Sequence, residues 1–322
     1  MSLSVTETAD VPFAAPVRAR PMVRDRTVIL PESGNDAVPG LEGESIRLRL
    51  VGNPEGPRVF VLGGISAGRQ VASEDDGWWA CLAGPGRVID TDRCLVIGAD
   101  FPAGRPGCAL TPEAVARAFA FALEETGTPR IAALVGSSFG GMVGLSFARL
   151  YPERVGQLAL LCAAHRPSPM ATAIRHVQRQ ILELTEGTNR EADGVSLARQ
   201  LAMTTYRCRQ EFDGRFGRRG GECLTSYLSA RGRDYARKTS AARYKALSAA
   251  IDRHDEDPAG VRVPTLVIAS STDSLVPPEL ASECAAELPK LSGFEVIHSL
   301  YGHDAFLKEP ARIGALLRRV LP

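Results

Sequence analysis

The chain has 322 residues, enough for one large domain or for a core that carries an insertion. Apolar residues make up 44% and charged residues 23%, the balance of a soluble globular protein. A net charge of +1 supplies no global field toward nucleic acid or membrane, and no apolar run approaches the roughly 20 residues of a membrane span.

Residues 1–40 are rich in Pro, Ala and Arg and lack periodicity, so a poorly ordered lead-in is expected there. The N-terminus has no continuous apolar region of the kind a signal peptide needs. Short β-like runs follow at 46–51, 59–62, 95–97, 131–135, 158–161, 265–269 and 294–297. Helical patterns separate several of them, at 112–125 after the third run and at 139–150 after the fourth. This alternation predicts an α/β fold with a mostly parallel sheet and helices on both faces. The pattern breaks over 166–259, which reads as successive helices with many arginines and glycine interruptions near Gly187, Gly217 and Gly220. A helical cap inserted in the core is expected there, leaving 41–165 and 260–322 as the core itself. Cys81, Cys94, Cys108, Cys162, Cys208, Cys223 and Cys284 are scattered with no CxxC pair, which suggests reduced thiols in a cytoplasmic protein. None has metal-ligand spacing with a histidine, and no metal is expected.

The most informative string is Gly136-Ser137-Ser138-Phe139-Gly140. It follows the apolar run Ile131-Ala132-Ala133-Leu134-Val135 and precedes a helical pattern, which is the strand–turn–helix context of a nucleophile elbow. A serine needs a base, and the base an orienting carboxylate. On such a fold the order is Ser, Asp, His. Of five histidines only His298 and His303 lie late enough. His298 falls in a strand pattern, whereas His303 sits in a glycine-bearing loop after it, so His303 is the expected base. Asp273 leaves the end of the 265–269 run and is the expected acid, although a turn-capping role also suits an Asp there. The oxyanion donors should be the amide of Phe139 and one from the loop after the second run, Ile65 first and Gly64 next.

These residues resemble the homoserine O-acyltransferases of the α/β-hydrolase fold. The resemblance rests on Gly136-Ser137-Ser138-Phe139-Gly140-Gly141-Met142, on Tyr151-Pro152-Glu153-Arg154-Val155, and on Gly77-Trp78-Trp79 with Gly84-Pro85-Gly86 and Asp90-Thr91-Asp92-Arg93. Thr205-Tyr206-Arg207, Phe216-Gly217-Arg218, Ser226-Tyr227-Leu228 and Gly302-His303-Asp304-Ala305-Phe306-Leu307 agree with it. It runs from about residue 41 to the C-terminus. It implies acyl transfer from acyl-CoA to the hydroxyl of L-homoserine in methionine biosynthesis, through an acyl–serine intermediate on Ser138. It implies acyl-CoA as a co-substrate with no permanently bound cofactor, and a homodimer formed through the cap. It also puts Arg218 and Tyr227 in the substrate tunnel and Asp304 against the homoserine amine. Charge complementarity agrees with Arg218 and Asp304, because homoserine is a zwitterion.

The strings Leu62-Gly63-Gly64-Ile65-Ser66-Ala67 and 163–170 look more like a succinyl-transferring subgroup than the acetyl-specific members. Succinyl adds a carboxylate, for which Arg69 and Arg105 are candidates by position. The segment 98–107 is shorter than the glycine-rich stretch that many family members carry there. The residues leave open a serine hydrolase (esterase or thioesterase), an acyltransferase acting on serine or a secondary-metabolite hydroxyl, and a non-enzymatic binding protein on the same fold. Arg218 and Asp304 argue against a simple apolar esterase.

Overall fold

The computed structural model describes residues 22–73, 76–105, 107–217 and 220–322. Among these, eight strands build the main sheet: β1 (Met22–Ile29), β2 (Ser45–Gly52), β3 (Arg58–Leu62), β4 (Leu95–Ala99), β5 (Ile131–Ser137), β6 (Val155–Leu161), β7 (Thr265–Ser270) and β8 (Leu291–Ile297). Their spatial order is β1-β2-β4-β3-β5-β6-β7-β8. β1 and β2 run antiparallel, as do β2 and β4, and every later pairing is parallel.

Alternation along the central strands feeds two cores. Phe60, Leu62, Leu134 and Leu158 face one layer, while Val59, Val61, Ala133 and Ala159 face the other. The first layer packs against α1 (Pro112–Glu125), α2 (Phe139–Leu150) and α8 (Pro278–Glu287). The second is covered by Trp79 and by Ile313 and Leu317 of the C-terminal helix Pro310–Leu317. Strand β7 is buried along its whole length, as a parallel strand covered on both faces must be.

Between β6 and β7 lie the cap helices α3 (Pro169–Glu183), α4 (Glu191–Met203), α5 (Arg209–Phe216), α6 (Gly220–Ala236) and α7 (Ala241–Asp252). Ser168 and Ser240 cap α3 and α7 by accepting from the amides of Ala171 and Arg243. Leu182, Val195, Ala198, Ala241 and Tyr244 form a small separate core, against which Ile65 packs from below. The chain returns to β7 past Glu256, whose buried carboxylate accepts from Ser146 Oγ at 2.5 Å and pairs with Arg149.

The structure departs from the sequence reading at the N-terminal edge of the sheet. Residues 22–29, assigned to the aperiodic lead-in, form β1. That strand is an exposed edge of charged residues, held by its backbone ladder and by Arg49 on Asp25 at 2.7 Å, so it carries no apolar period to read. Past β8 a short turn of helix at Ala305–Lys308 precedes the helix at Pro310–Leu317.

Helix α2 starts hard against the end of β3. A Cβ on Gly140 would lie 2.5 Å from the carbonyl oxygen of Leu62 and 2.6 Å from that of Gly63. Gly140→Ala is therefore expected to destabilise by about 1–3 kcal/mol. Gly214, inside α5, would place its Cβ in open space. Gly214→Ala should stabilise by about 0.4–1 kcal/mol. Urea denaturation midpoints measure both, and the opposite signs are the check.

Candidate functional site

The turn from β5 into α2 bends so sharply that Ser138 takes φ 53° and ψ −122°. Ser138 and Cys162 are the two non-glycine residues with positive φ among those described. Such backbone persists only where the surroundings over-determine it. Here the Ser138 amide donates to Leu161 O at 2.9 Å, and the Gly140 amide to Gly63 O at 2.9 Å. The hydroxyl is thereby lifted out of the sheet.

His303 meets it. Its Nε2 lies 2.7 Å from Ser138 Oγ, and its Nδ1 lies 2.7 Å from Asp273 Oδ2. Asp273 divides its two oxygens between a turn and the imidazole. Oδ1 accepts from the amides of Leu275 and Val276, each at 2.9 Å, which fixes the turn and leaves Oδ2 for the imidazole. Burial disfavours the imidazolium, but the charge and hydrogen bond of Asp273 outweigh it, and the pKa of His303 is raised. His298 lies just past β8 and is exposed, away from this group.

The loop 302–306 is clamped from two sides. The buried Trp79 donates its indole N–H to Phe306 O at 2.9 Å. From the cap, Tyr206 O accepts from the Asp304 amide at 3.2 Å, Leu300 O accepts from the Cys208 amide at 3.3 Å, and Thr205 O accepts from Ser274 Oγ at 3.1 Å. The Tyr206 ring stacks on the imidazole with centroids 6.1 Å apart.

A cavity of about 280 Å³ opens onto Ser138 and His303. Trp78, Met142, Ile174, Val276, Phe306 and Leu307 form its apolar walls, and Arg175, Arg199, Tyr206 and Asp304 give it charge and polarity. Gly64 faces the nucleophile, since a Cβ there would lie 3.8 Å from Ser138 Oγ. The amides of Phe139 and Ile65 find no protein acceptor among the described residues, so both remain available to an oxyanion.

Asp304 lines the cavity. Its side chain makes no helix-capping bond and accepts instead from Arg207 at 3.3 Å. Burial raises its pKa, against the pull of Arg207 and His303. Tyr227 does not line the cavity. It lies on α6 under the Arg215 guanidinium at 4.3 Å and against Phe216 at 5.3 Å. Arg218 lies outside the described residues. Arg69 and Arg105 are engaged elsewhere, Arg69 with Asp100 at 2.7 Å and Arg105 with Glu42 at 3.7 Å, and neither lines the cavity.

Sequence reasoning missed Arg175, Arg199 and Tyr206 as cavity groups. Tyr206 stood inside a quoted motif, but nothing in the spacing showed that it stacks on the imidazole. It also missed Cys162, whose buried thiol sits beside Asp273. Burial first, and then that carboxylate, push its pKa well up, so it stays protonated.

Residues 92–310 match a family described as having the α/β hydrolase fold. The chain is 36% identical to a homoserine O-succinyltransferase of Xanthomonas campestris pv. campestris, over 98% of this chain and 92% of that protein. It is 34% identical to a homoserine O-acetyltransferase of Thermus thermophilus, over 77% of this chain and 72% of that one. Among solved structures, an esterase superposes with a TM-score of 0.80 at 18% identity, covering 94% of this chain and 100% of the other, a likeness of fold.

An acyl transfer run by these three side chains needs a neutral imidazole. Because Asp273 raises the pKa of His303, the rate should fall as pH drops through a value above that of a free histidine. In Asp273→Asn the acid limb should move to lower pH, and the rate should drop by on the order of 10⁴-fold. Profiles of kcat/KM against pH, with p-nitrophenyl acetate as the ester, measure both effects.

Proposed function

Since the chain belongs to the homoserine O-acyltransferase family of the α/β-hydrolase fold, we propose that it moves an acyl group from acyl-CoA to the hydroxyl of L-homoserine, by a ping-pong route through an acyl–serine. The observation that carries this reading is the chain of two 2.7 Å hydrogen bonds from Ser138 through His303 to Asp273, opening into a cavity that also holds Asp304.

In the first half-reaction Ser138 Oγ attacks the thioester carbonyl as His303 Nε2 takes the hydroxyl proton. The amides of Phe139 and Ile65 hold the oxyanion; losing one such donor typically costs about 2.7–4 kcal/mol of barrier. The C–S bond then breaks, and His303 returns the proton to the departing thiolate. In the second half-reaction homoserine enters with its ammonium on Asp304. His303 deprotonates its hydroxyl, whose oxygen forms the new C–O bond to the acyl carbon; the bond from that carbon to Ser138 Oγ then breaks, and Ser138 Oγ takes the proton back from His303. Asp273 keeps the imidazole oriented and stabilises its charged form throughout.

Water competes with homoserine for the acyl–serine. The cap counters it with apolar walls from Ile174 and with Tyr206 stacked on the base. The 36% identical relative, named a succinyltransferase, inclines the donor toward succinyl-CoA. Arg218 keeps its resemblance-based role in the tunnel as part of this proposal, and Tyr227, outside the cavity lining, is left out of it. A homodimer through the cap accords with the apolar side chains that α3 and its end expose, Met170, Val177 and Leu184. Among the described residues no helix is long and apolar enough to cross a membrane. The setting we propose is methionine biosynthesis in the cytoplasm.

A hydrolase would use the same three side chains with water as acceptor. Intact-protein mass spectrometry after mixing with succinyl-CoA or acetyl-CoA should show one acyl mass on the wild type and none on Ser138→Ala. Thiol release should depend strongly on homoserine and yield O-acylhomoserine. Equal thiol release without homoserine would assign the chain to the hydrolases.

A further inference from the structure

The cavity contains a guanidinium that shares its space with the Asp304 carboxylate but makes no ion pair among the described residues. Arg199 projects from α4 into it and sits between two aromatic rings, its Cζ 5.0 Å from the Tyr206 centroid and 4.6 Å from that of Tyr235. Its hydrogen bonds both come from Nη1, one to Ser66 Oγ at 3.2 Å and one to Tyr206 Oη at 3.0 Å. Both acceptors are neutral hydroxyls. Nε and Nη2, the edge that grips a carboxylate side-on with two parallel N–H donors, have no acceptor among the described residues.

The neighbouring arginines are different. Arg175 pairs with Asp252 at 2.6 Å, Arg179 with Asp252 at 2.7 Å, and Arg207 with Glu211 at 2.8 Å and Asp304 at 3.3 Å. Among the described residues no carboxylate lies within ion-pair distance of Arg199. A sequestered charge without a partner is costly, and evolution of a purely structural core would favour a neutral side chain there. The aromatic faces offset part of that cost and fix the plane of the guanidinium. What remains is a cation oriented by two rings and two hydroxyls, lining a cavity that also contains the nucleophile and Asp304.

We infer that Arg199 binds a substrate carboxylate on its Nε–Nη2 edge and so selects carboxylate-bearing substrates. The inference deepens the acyl-transfer reading and rests on it for the identity of the substrates. Two sources share the chemistry: the α-carboxylate of the amino-acid acceptor and the distal carboxylate of a succinyl donor. With homoserine as ligand, Arg199 and Asp304 would hold the two ends of a zwitterion and leave its hydroxyl for Ser138.

The test uses full-length Arg199→Met and Arg199→Lys with two matched pairs. Donors are succinyl-CoA and butyryl-CoA, equal in carbon number, followed as mass added to Ser138. Acceptors are homoserine and 3-aminopropan-1-ol, which lacks only the carboxylate, followed as transfer from the acetylated enzyme. In Arg199→Met, kcat/KM should fall about 10–100-fold for the carboxylate-bearing member of one pair, with its partner changed less than threefold. The pair that responds identifies the source. Arg199→Lys, which keeps the charge but not the fork, should recover part of the loss. Equal losses for both members of both pairs would make Arg199 a support for Ser66 and Tyr206 and overturn the inference, as would no loss at all. Wild-type enzyme that acylates but ignores homoserine would reject the acceptor reading alone, because the donor pair still decides the role of Arg199.

Discussion

The imidazole of His303 must reach a hydroxyl on one side and a carboxylate on the other, and the three groups come from turns at residues 138, 273 and 303. A hydrogen bond tolerates only a few tenths of an ångström, so most of the surrounding structure is tolerance control. The elbow is pinned to the ends of β3 and β6 by the amides of Gly140 and Ser138. The acid's turn is tied by its own Oδ1. The base's loop is held from the core by the Trp79 indole and from the cap by Tyr206. Each tie uses a backbone or buried polar group that would be costly to leave unpaired, so positioning and polar satisfaction are met by the same bonds.

Much of this was legible in the sequence because it follows from local rules. The elbow announces itself by glycines around a serine between a strand period and a helix period. The order of Ser138, Asp273 and His303 follows from strand ends in chain order. Asp304 was legible as a neighbour of the base. What was not legible depends on partners distant in the chain. Strand β1 has no apolar alternation, because its stability comes from a ladder on β2 and an Arg49–Asp25 pair. Arg69 and Arg105 were candidates by position alone, and ion pairs with Asp100 and Glu42 engage them outside the cavity. Arg199 and Tyr206 belong to a cap whose helices carry many arginines, and periodicity does not tell which of them turns inward.

The cavity combines two environments, and the proposed acyl transfer would draw on both. Apolar side chains make up most of its walls, and Arg175, Arg199 and Asp304 set charges among them. An esterase can share the fold at a TM-score of 0.80, because the sheet and the elbow impose nothing on the acceptor. Discrimination has to come from the cap, which supplies Arg175, Arg199 and Tyr206 to the cavity. In the proposed reaction the core provides the reacting groups, and the inserted helices line the way to them.

The stretch from Thr205 to Cys208 is bonded by its backbone to the segments that carry the acid and the base. Gly302, at φ 52°, lets the two backbones touch, since a Cβ there would lie 2.8 Å from Tyr206 O. The lid is therefore riveted at its middle to the machinery it covers. It cannot swing away as one plate without dragging the imidazole out of line. Under the proposed transfer, a donor as bulky as a coenzyme thioester would pass by local yielding of the helices on either side of that rivet, with the Ser138–His303–Asp273 geometry left assembled.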